Sequence, residues 1–332
     1  MKQIKYLILL LVLYIPTALL AGQSYERIYV FGDSLSDTGN LASVVPNFPT
    51  FPYYQGRISN GLVAVEILAA RLGLPLETSL HLIGPASGNN YAVAGASAAR
   101  NDAIDLNTQV AWFLANHGGV APDDTLYVMF IGGNDVRKAR DTTDWSAAAQ
   151  IVEEAAQTIA NQMQVLAASG AKNWLVVNAP DIGAIPETGL IAEAYGLPGL
   201  PARATTLTIL FNGALKRQMQ ILKESSDVEI ERFNLFRLFS RIIEKSDKLG
   251  FSNATDACFS SETGTFSPGC SFGYNFDQYI FFDEIHPTAR VHEMVGIAMS
   301  HKVSEHDKDD HEHEHEHKHK HKHKKELESA TE

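Results

Sequence analysis

The chain alternates short apolar runs with longer helix-like segments, and this alternation restricts the folds that it can adopt. Five runs have the length and apolar character of buried strands in a parallel sheet. They occupy residues 27–31, 89–97, 125–131, 173–178 and 228–233. The helical segments occupy residues 62–72, 106–116, 146–169, 202–224, 235–245 and 287–301. Because strands that alternate with helices form a doubly wound sheet, we predict the α/β class, with three α/β/α layers around a five-stranded, mostly parallel sheet.

The composition favours one globular domain. Of the 332 residues, 45% are hydrophobic and 20% are charged, as expected of a chain that buries a core. Residues 24–301 show no shift in composition, so we interpret them as a single domain. The formal net charge of −12 argues against nucleic-acid binding, because such proteins usually carry a basic face. The possibility of lipid substrates stays open, since the binding site of an acidic protein can itself be apolar.

The N-terminus has the layout of a secretory signal peptide. Residues 1–5 carry lysines, residues 6–15 are apolar, and small residues lead to Ala21. We predict a signal peptide over residues 1–21, cleaved after Ala21, and therefore a secreted or periplasmic protein. A membrane anchor is the alternative, but the apolar run is short for a span and no stop-transfer segment follows.

A polar stretch follows the first predicted strand, with the sequence Gly32-Asp33-Ser34-Leu35-Ser36-Asp37. Ligands of open α/β sheets bind beyond the carboxyl ends of strands, where a starting helix offers free N–H groups to an anion. Ser34 is therefore a candidate nucleophile, provided that a base reaches it. The alternative is that Asp33, Ser34 and Asp37 are only turn and helix-cap residues.

Two other predicted strands end in distinctive residues, Gly95 and Asn134. Since these ends should converge at one crevice, we expect both residues to lie near Ser34. The intervening loop of residues 45–54, rich in proline and aromatic residues, is expected to form a wall of the site. Ser59 or Asn60 is expected to cap the helix over 62–72.

The candidate base lies near the C-terminus, in Asp283-Glu284-Ile285-His286. Asp283 and His286 are three residues apart, so a turn-like path puts them on one side. The carboxylate can then hold the imidazole in one tautomer and leave its other nitrogen for Ser34. The alternative is a helix cap and a surface histidine. His292 is a competing base that lacks a carboxylate three or four residues upstream.

His81 and His117 lie in no motif and are interpreted as structural or surface histidines. The two cysteines, Cys258 and Cys270, lie in a Gly/Ser/Thr-rich stretch, and export would permit a disulfide between them. Free thiols and metal ligation are the weaker alternatives. A bridge would close the loop 259–269 and contribute roughly 3 kcal/mol.

Four blocks of the sequence resemble the GDSL hydrolases of the SGNH superfamily. They are Gly32-Asp33-Ser34-Leu35, Asn90-Tyr91-Ala92-Val93-Ala94-Gly95, Gly132-Gly133-Asn134-Asp135 and Asp283-Glu284-Ile285-His286. The resemblance implies a flavodoxin-like SGNH fold. It also implies Ser34 as nucleophile, His286 as general base and Asp283 as its partner. It further implies an oxyanion hole made by the backbone N–H groups of Ser34 and Gly95 and the amide of Asn134, and a reaction that needs no cofactor.

The longer first block, from Phe31 to Asn40, and the late cysteine pair are similar to the bacterial secreted lipolytic members. These include lysophospholipases A, phospholipases A and phospholipid–cholesterol acyltransferases. The resemblance implies phospholipid or lysophospholipid substrates, met transiently at a membrane surface. Water as acceptor gives hydrolysis, and cholesterol as acceptor gives acyl transfer. Two alternatives stay open: an esterase for sugar or aryl esters, and a non-catalytic surface protein. The cysteine loop is interpreted either as a staple or as a lid over the acyl site.

Residues 302–332 form a histidine-rich tail of low complexity, which we predict to be disordered. Its alternating histidines are His311, His313, His315, His317, His319, His321 and His323. Imidazoles at this density suit zinc, nickel or copper, so a divalent metal is a candidate partner of the tail. A solvated, pH-responsive tail is the simpler interpretation.

Overall fold

The computed structural model describes residues 25–270 and 275–304. At its centre lies a sheet of four parallel strands in the order β1-β2-β3-β4. The strands are β1 (Arg27–Gly32), β2 (Thr125–Phe130), β3 (Asn173–Val177) and β4 (Glu229–Phe233). The register aligns Tyr29, Tyr127 and Trp174 in one row across the sheet. Every residue of β2 and β3 is buried, which is why these strands appear in the sequence as continuous apolar runs.

The sheet has four strands where the sequence predicts five. The segment over residues 89–97 lies beside β1 only as an isolated parallel bridge between Val30 and Asn90. Its Tyr91 N–H donates to the Val30 carbonyl at 2.8 Å. Asn90 also forms an isolated parallel bridge to Thr78, and further along the segment the Ala94 N–H donates to a carboxylate oxygen of Asp37 at 2.8 Å. The apolar run is therefore a buried segment at the edge of the sheet that bonds to β1 through a few backbone groups without forming a full strand.

Nine helices appear in the described residues and cover both faces of the sheet. They are α1 (Asn40–Val44), α2 (Ala64–Leu72), α3 (Leu106–Asn116), α4 (Gly133–Asp141), α5 (Trp145–Ala168), α6 (Pro186–Ala194), α7 (Leu200–Ser225), α8 (Leu235–Glu244) and α9 (residues 289–304). Six of them coincide with predicted helices. The three short helices α1, α4 and α6 are not predicted, because their sequences lack a long apolar stripe.

Only two residues, Ile131 and Gly132, connect β2 to helix α4, and this short connection depends on Gly132. Its φ of 121° lies in the region that favours glycine. A Cβ atom at this position would meet the ring of Phe211, from α7, at 2.2 Å. The close approach of the turn to α7 sets the direction in which α4, and with it Asn134, leaves the sheet.

A small disulfide hairpin lies before the C-terminal segment. Strands β6 (Phe259–Ser260) and β7 (Thr265–Phe266) pair antiparallel, and the predicted disulfide between Cys258 and Cys270 is present. The hairpin is flanked by β5 (Asn253–Ala257) and β8 (Tyr279–Phe281), which pair in parallel. We call residues 258–270 the disulfide hairpin. Its buried cysteines pack with Tyr279 in a cluster separate from the main core.

The predicted signal peptide and all seven tail histidines lie outside the described residues. Helix α9 extends to residue 304, so the first three residues of the predicted disordered tail are helical. Among the helices in the described ranges, none has the length and apolar character needed to cross a membrane.

Candidate active site

Ser34 lies in a tight turn immediately after β1. The Asp33 carbonyl accepts the N–H groups of Ser36 and Asp37 at 3.0 Å, and the Asp33 carboxylate accepts the Leu35 N–H at 3.0 Å. Asp33 is therefore the turn residue that the sequence suggests. Burial raises the pKa of Asp33 to about 6, against the opposing effect of the Leu35 N–H. The turn brings Ser34, which is 8% exposed, to the carboxyl edge of the sheet.

The hydroxyl of Ser34 meets the imidazole of His286, although 252 residues separate the two in the chain. The Ser34 Oγ to His286 Nε2 distance is 2.7 Å. On the other side of the ring, His286 Nδ1 lies 2.9 Å from both carboxylate oxygens of Asp283. Because the carboxylate can only accept, Nδ1 carries the proton and Nε2 is left to accept from Ser34.

Asp283 is held in place by its own backbone. One carboxylate oxygen accepts the N–H groups of Ile285 at 2.8 Å and His286 at 2.7 Å, so the segment forms the turn that the three-residue spacing predicts. Burial acts to raise the pKa of Asp283, but His286 and these backbone donors outweigh it and hold that pKa below its usual value. Asp283 is therefore ionised beside His286.

Tyr53 adds a contact to this group that the sequence does not indicate. Its hydroxyl donates to the second carboxylate oxygen of Asp283 at 2.8 Å. Burial and the charge of Asp283 raise the pKa of Tyr53, so the hydroxyl keeps its proton. The Tyr53 ring packs edge-on against Phe282 and against Phe259 of the disulfide hairpin. One aromatic residue of the loop over residues 45–54 thus contacts the carboxylate, but no residue of this loop lines the cavity of Ser34, so the predicted wall is not found there.

The predicted oxyanion donors line two cavities that share Asn134. Gly95 has a φ of 85°, and Asn134 lies in the first turn of α4. Asn134 lines one cavity with Ser34 and another with Gly95. Across the described part of the chain, neither the Ser34 nor the Gly95 backbone N–H has a hydrogen-bond partner. Each of these two free amide donors therefore belongs to a residue that shares a cavity with Asn134.

Arg137 fixes the orientation of the Asn134 amide. Its guanidinium donates to the Asn134 side-chain oxygen at 3.1 Å, and the Asn134 Nδ2 group donates to the Ala96 carbonyl at 2.8 Å. Since a guanidinium has donors alone, the amide cannot flip, and the second Nδ2 hydrogen stays available for a ligand. Arg137 stands three residues after Asn134 on one helix face, so this pair could have been found from the helical spacing had α4 been predicted.

Arg137 also connects two parts of the site. It forms a two-contact ion pair with Glu187, and the Glu187 N–H donates to the Glu284 carbonyl at 2.8 Å. Burial acts to raise the pKa of Glu187, but Arg137 and Arg140 overcome it and lower that pKa. The charged pair therefore links the helix of Asn134 to the segment of Asp283 and His286.

The other histidines take structural positions. His292 Nδ1 accepts the Ala64 N–H at 3.2 Å, and burial lowers the pKa of His292 to about 3. His292, the competing base, therefore binds the start of α2. The histidine that contacts Ser34 is His286. His81 contacts the hydroxyl of Ser79 at 2.6 Å, and His117 contacts that of Tyr29 at 2.7 Å.

An apolar cavity of about 50 Å³ adjoins the Ser34 hydroxyl. Its polar lining residues are Asp33, Ser34, Asn134, Arg137, His286 and His292. The rest of its wall is mostly hydrocarbon, from Phe130, Ile182, Ile185, Leu235, Phe239, Val291 and Val295. Such a lining suits the hydrocarbon part of a substrate and excludes water from the hydroxyl. In the ranges that the structure covers, no cluster of His, Cys, Asp and Glu could hold a metal ion.

A serine, an imidazole and a carboxylate joined in this order at the carboxyl edge of a parallel sheet define the class of serine-dependent hydrolases. A family comparison is more specific. The family model described as GDSL-like lipase/acylhydrolase matches residues 28–299, and the chain belongs to this family. Lipase or esterase chemistry on carboxylic esters follows from that membership.

Three relatives illustrate the range of the family. Acetylajmalan esterase 2 of Rauvolfia serpentina is 26% identical, with 82% of this chain and 88% of the relative aligned. Lipase 1 of Photorhabdus luminescens is 34% identical, but over only 52% of this chain and 25% of the relative. The phosphatidylcholine-sterol acyltransferase of Aeromonas hydrophila is 29% identical over 71% of this chain and 66% of the relative.

Proposed function

We propose that the protein is an exported serine acyl hydrolase that releases fatty acids from phospholipids or lysophospholipids through an acyl-enzyme. The 2.7 Å contact between Ser34 Oγ and His286 Nε2, inside a cavity with an apolar wall, carries this proposal. Such a pair is the minimum that a serine needs to become a nucleophile near neutral pH.

Ser34, His286 and Asp283 each have a defined role in the reaction. Ser34 attacks the ester carbonyl carbon while its proton passes to His286 Nε2. Asp283 stabilises the imidazolium that forms and keeps the ring in its orientation. The imidazolium then protonates the leaving alcohol, which departs from the acyl-enzyme. In the second half, His286 takes a proton from the acceptor, which attacks the acyl group and frees Ser34.

The negative oxygen of the tetrahedral intermediate needs donors that exist before the reaction starts. The free backbone N–H groups of Ser34 and Gly95 and the second hydrogen of Asn134 Nδ2 are suited to this role. Because Arg137 and Ala96 already hold the Asn134 amide, the donor needs no reorganisation when charge develops.

Lipid substrates are supported by the hydrocarbon wall beside Ser34 and by relatives named as a lipase and as a phosphatidylcholine-sterol acyltransferase. A lipid would be met at a membrane surface. Water as acceptor would complete hydrolysis, and the hydroxyl of cholesterol would give acyl transfer from the same acyl-enzyme.

A second candidate is an esterase for small acyl groups. The volume of about 50 Å³ beside Ser34 favours it, because so small a cavity holds only the first part of a long chain. One relative is named as an esterase of an acetylated compound. The two candidates share the chemistry and differ in the length of the acyl chain.

Fatty-acid release from a panel of esters tests both candidates. The panel contains phospholipids, lysophospholipids with and without cholesterol, and p-nitrophenyl esters from acetyl to palmitoyl. We expect release from the lysophospholipids, and a loss of about 10⁴-fold or more in kcat for Ser34→Ala. Activity confined to acetyl and butyryl esters would support the small-ester candidate. Equal activity of the wild type and Ser34→Ala would refute both.

A further inference from the structure

A second cavity shares two residues with the proposed oxyanion hole. It has a volume of about 480 Å³, and both Gly95 and Asn134 line it. Three cationic side chains, Arg100, Arg137 and Lys138, line it as well. We call it the cationic cavity. A substrate whose carbonyl oxygen is held by Gly95 and Asn134 has this cavity as its immediate neighbour.

The charge of the cationic cavity differs from that of the whole protein. Three cations and one carboxylate, Asp141, line it, and Asp141 is itself paired with Arg140 at 2.8 Å. The chain as a whole has a formal net charge of −12. A local excess of positive charge in an acidic protein attracts anions to this place.

The three cations are not equally free. Arg137 is paired with Glu187, and Arg100 lies 3.2 Å from Asp105 while also donating to the Gly95 carbonyl. Lys138 is exposed, and it has no carboxylate partner among the residues that the structure describes. It follows Asn134 by four residues on α4, so the two side chains share one helix face.

A third cavity shows the opposite charge. It has a volume of about 920 Å³ and lies between α6 and the disulfide hairpin. Its charged lining residues are Glu193, Asp256 and Glu284, with no lysine or arginine among them. A phosphate would be repelled there, so an anionic substrate group near Ser34 is drawn to the cationic cavity instead.

We infer that the cationic cavity binds the phosphate group of a glycerophospholipid, with Lys138 as the cation that it meets. The inference rests on the proposed phospholipid hydrolase function. In a 1-acyl lysophospholipid, only the glycerol carbons separate the ester from the phosphate. A carbonyl held at Gly95 and Asn134 therefore brings the phosphate within reach of the next cavity, where Lys138 binds it as a point charge.

Lys138→Gln in the full-length protein tests the inference, with three monoacyl substrates of one acyl chain, supplied below their micelle concentrations. Lysophosphatidic acid carries the phosphate alone, lysophosphatidylcholine adds choline, and monoacylglycerol lacks the phosphate. We expect KM to rise about tenfold for both phosphate substrates, as for the loss of one charge-assisted hydrogen bond. We expect kcat/KM for monoacylglycerol to stay unchanged, which also shows that the variant is folded.

Lys248→Gln is the matched control, because Lys248 is an exposed lysine that lines neither this cavity nor that of Ser34. Added salt should raise the wild-type KM for lysophosphatidic acid, and this dependence should flatten in Lys138→Gln. Equal KM shifts on all three substrates, or none on the phosphate substrates, would overturn the phosphate site and leave the hydrolase proposal standing. A wild type active on monoacylglycerol but inert on both phosphate substrates would remove the phospholipid proposal, and the phosphate site with it.

Discussion

Tyr53 and Arg137 show that single residues outside the recognisable motifs shape this site. Each acts through a neighbour: Tyr53 donates to Asp283, and Arg137 donates to Asn134. Neither the Tyr53 hydroxyl nor the Arg137 guanidinium is proposed to contact the reacting carbonyl itself. The Arg137 contact fixes one of the two orientations of the Asn134 amide, and the Tyr53 contact holds the Asp283 carboxylate in position. Both are preorganisation of the kind that hydrolysis requires.

We predict that Tyr53→Phe lowers kcat/KM by about tenfold, since a hydrogen bond to a charged group is lost. Without the Tyr53 donor the Asp283 carboxylate is held less firmly, which lowers the rate. Its negative charge beside His286 is also less compensated, which favours the protonated, inactive ring in the free enzyme. The acid limb of the kcat/KM profile should therefore move to higher pH. The measurement is the pH profile with a soluble p-nitrophenyl ester.

Tyr54→Phe is the control for this prediction, because it makes the same chemical change in a side chain that is 38% exposed. A purely structural role of the Tyr53 hydroxyl would lower activity without moving the acid limb. An unchanged rate and an unchanged profile would show that the hydrogen bond to Asp283 has no part in catalysis.

The motif residues were predictable because each block forms its own local turn. Asp33 and Asp283 accept backbone N–H groups two to four residues ahead, so these turns follow from a few neighbouring residues. Tyr53 reaches Asp283 across 230 residues of chain. No local pattern encodes a contact of that kind, since it depends on where the loop and the C-terminal segment pack.

At the scale of elements, helix α4 explains one failure of prediction. Its sequence, Gly133-Asn134-Asp135-Val136-Arg137-Lys138-Ala139-Arg140-Asp141, is mostly charged and begins with glycine, which suggests a loop. Its partly buried ion pairs to Glu187 and its packing on α5 and α7 stabilise the helix in the fold. Tertiary contacts therefore decide an element that propensity disfavours, and this element carries both Asn134 and Lys138.

The disulfide hairpin is attached to the C-terminal segment by several non-covalent contacts. The Phe259 N–H donates to the Phe282 carbonyl at 2.8 Å, and the Ser261 hydroxyl donates to Glu284 at 2.7 Å. None of the described hairpin residues lines the cavity of Ser34. These contacts favour the staple over the lid, because the hairpin supports the segment of Asp283 from outside that cavity.

We predict that the double variant Cys258→Ser/Cys270→Ser lowers the free energy of unfolding by about 3 kcal/mol, as expected for a loop of this size. At low temperature, where the variant is still folded, its kcat/KM should equal that of the wild type. Urea denaturation and an ester assay on the same preparation measure the two quantities. A clear rise in activity without the disulfide would instead support the lid.

At the scale of the whole molecule, residues 59–71 bring the two ends of the domain together. The Ser59 hydroxyl donates to the Pro287 carbonyl at 2.9 Å, and Asn60 accepts the Ala289 N–H at 2.8 Å. Asn60 was a predicted cap for the helix over residues 62–72, but it caps α9 instead. Helix α2 starts later, and Glu66 accepts the Val63 N–H at its beginning. A cap residue can be recognised from sequence, but the helix that it serves depends on the tertiary fold.

His292 belongs to the same junction and gives it a pH dependence. Its ring accepts the Ala64 N–H and is neutral, because burial lowers the pKa of His292 to about 3. In the unfolded chain the ring takes a proton below about pH 6.5. The unfolded state then binds more protons than the folded state, so stability must fall as the pH drops from about 6.5 towards 3.

We predict that His292→Asn removes this dependence, because the Asn oxygen can still accept the Ala64 N–H but does not titrate. The variant should be less stable than the wild type at pH 7.5, owing to the smaller buried side chain. That difference should shrink by about 1.4 kcal/mol for each pH unit below pH 6.5. Urea unfolding at several values between pH 4.5 and 7.5 measures this difference in stability.

His301→Asn, at an exposed position on α9, is the control and should leave the dependence of stability on pH unchanged. Parallel stability curves for the wild type and His292→Asn would mean that His292 is protonated in the folded protein, and that another group accounts for any loss of stability in acid.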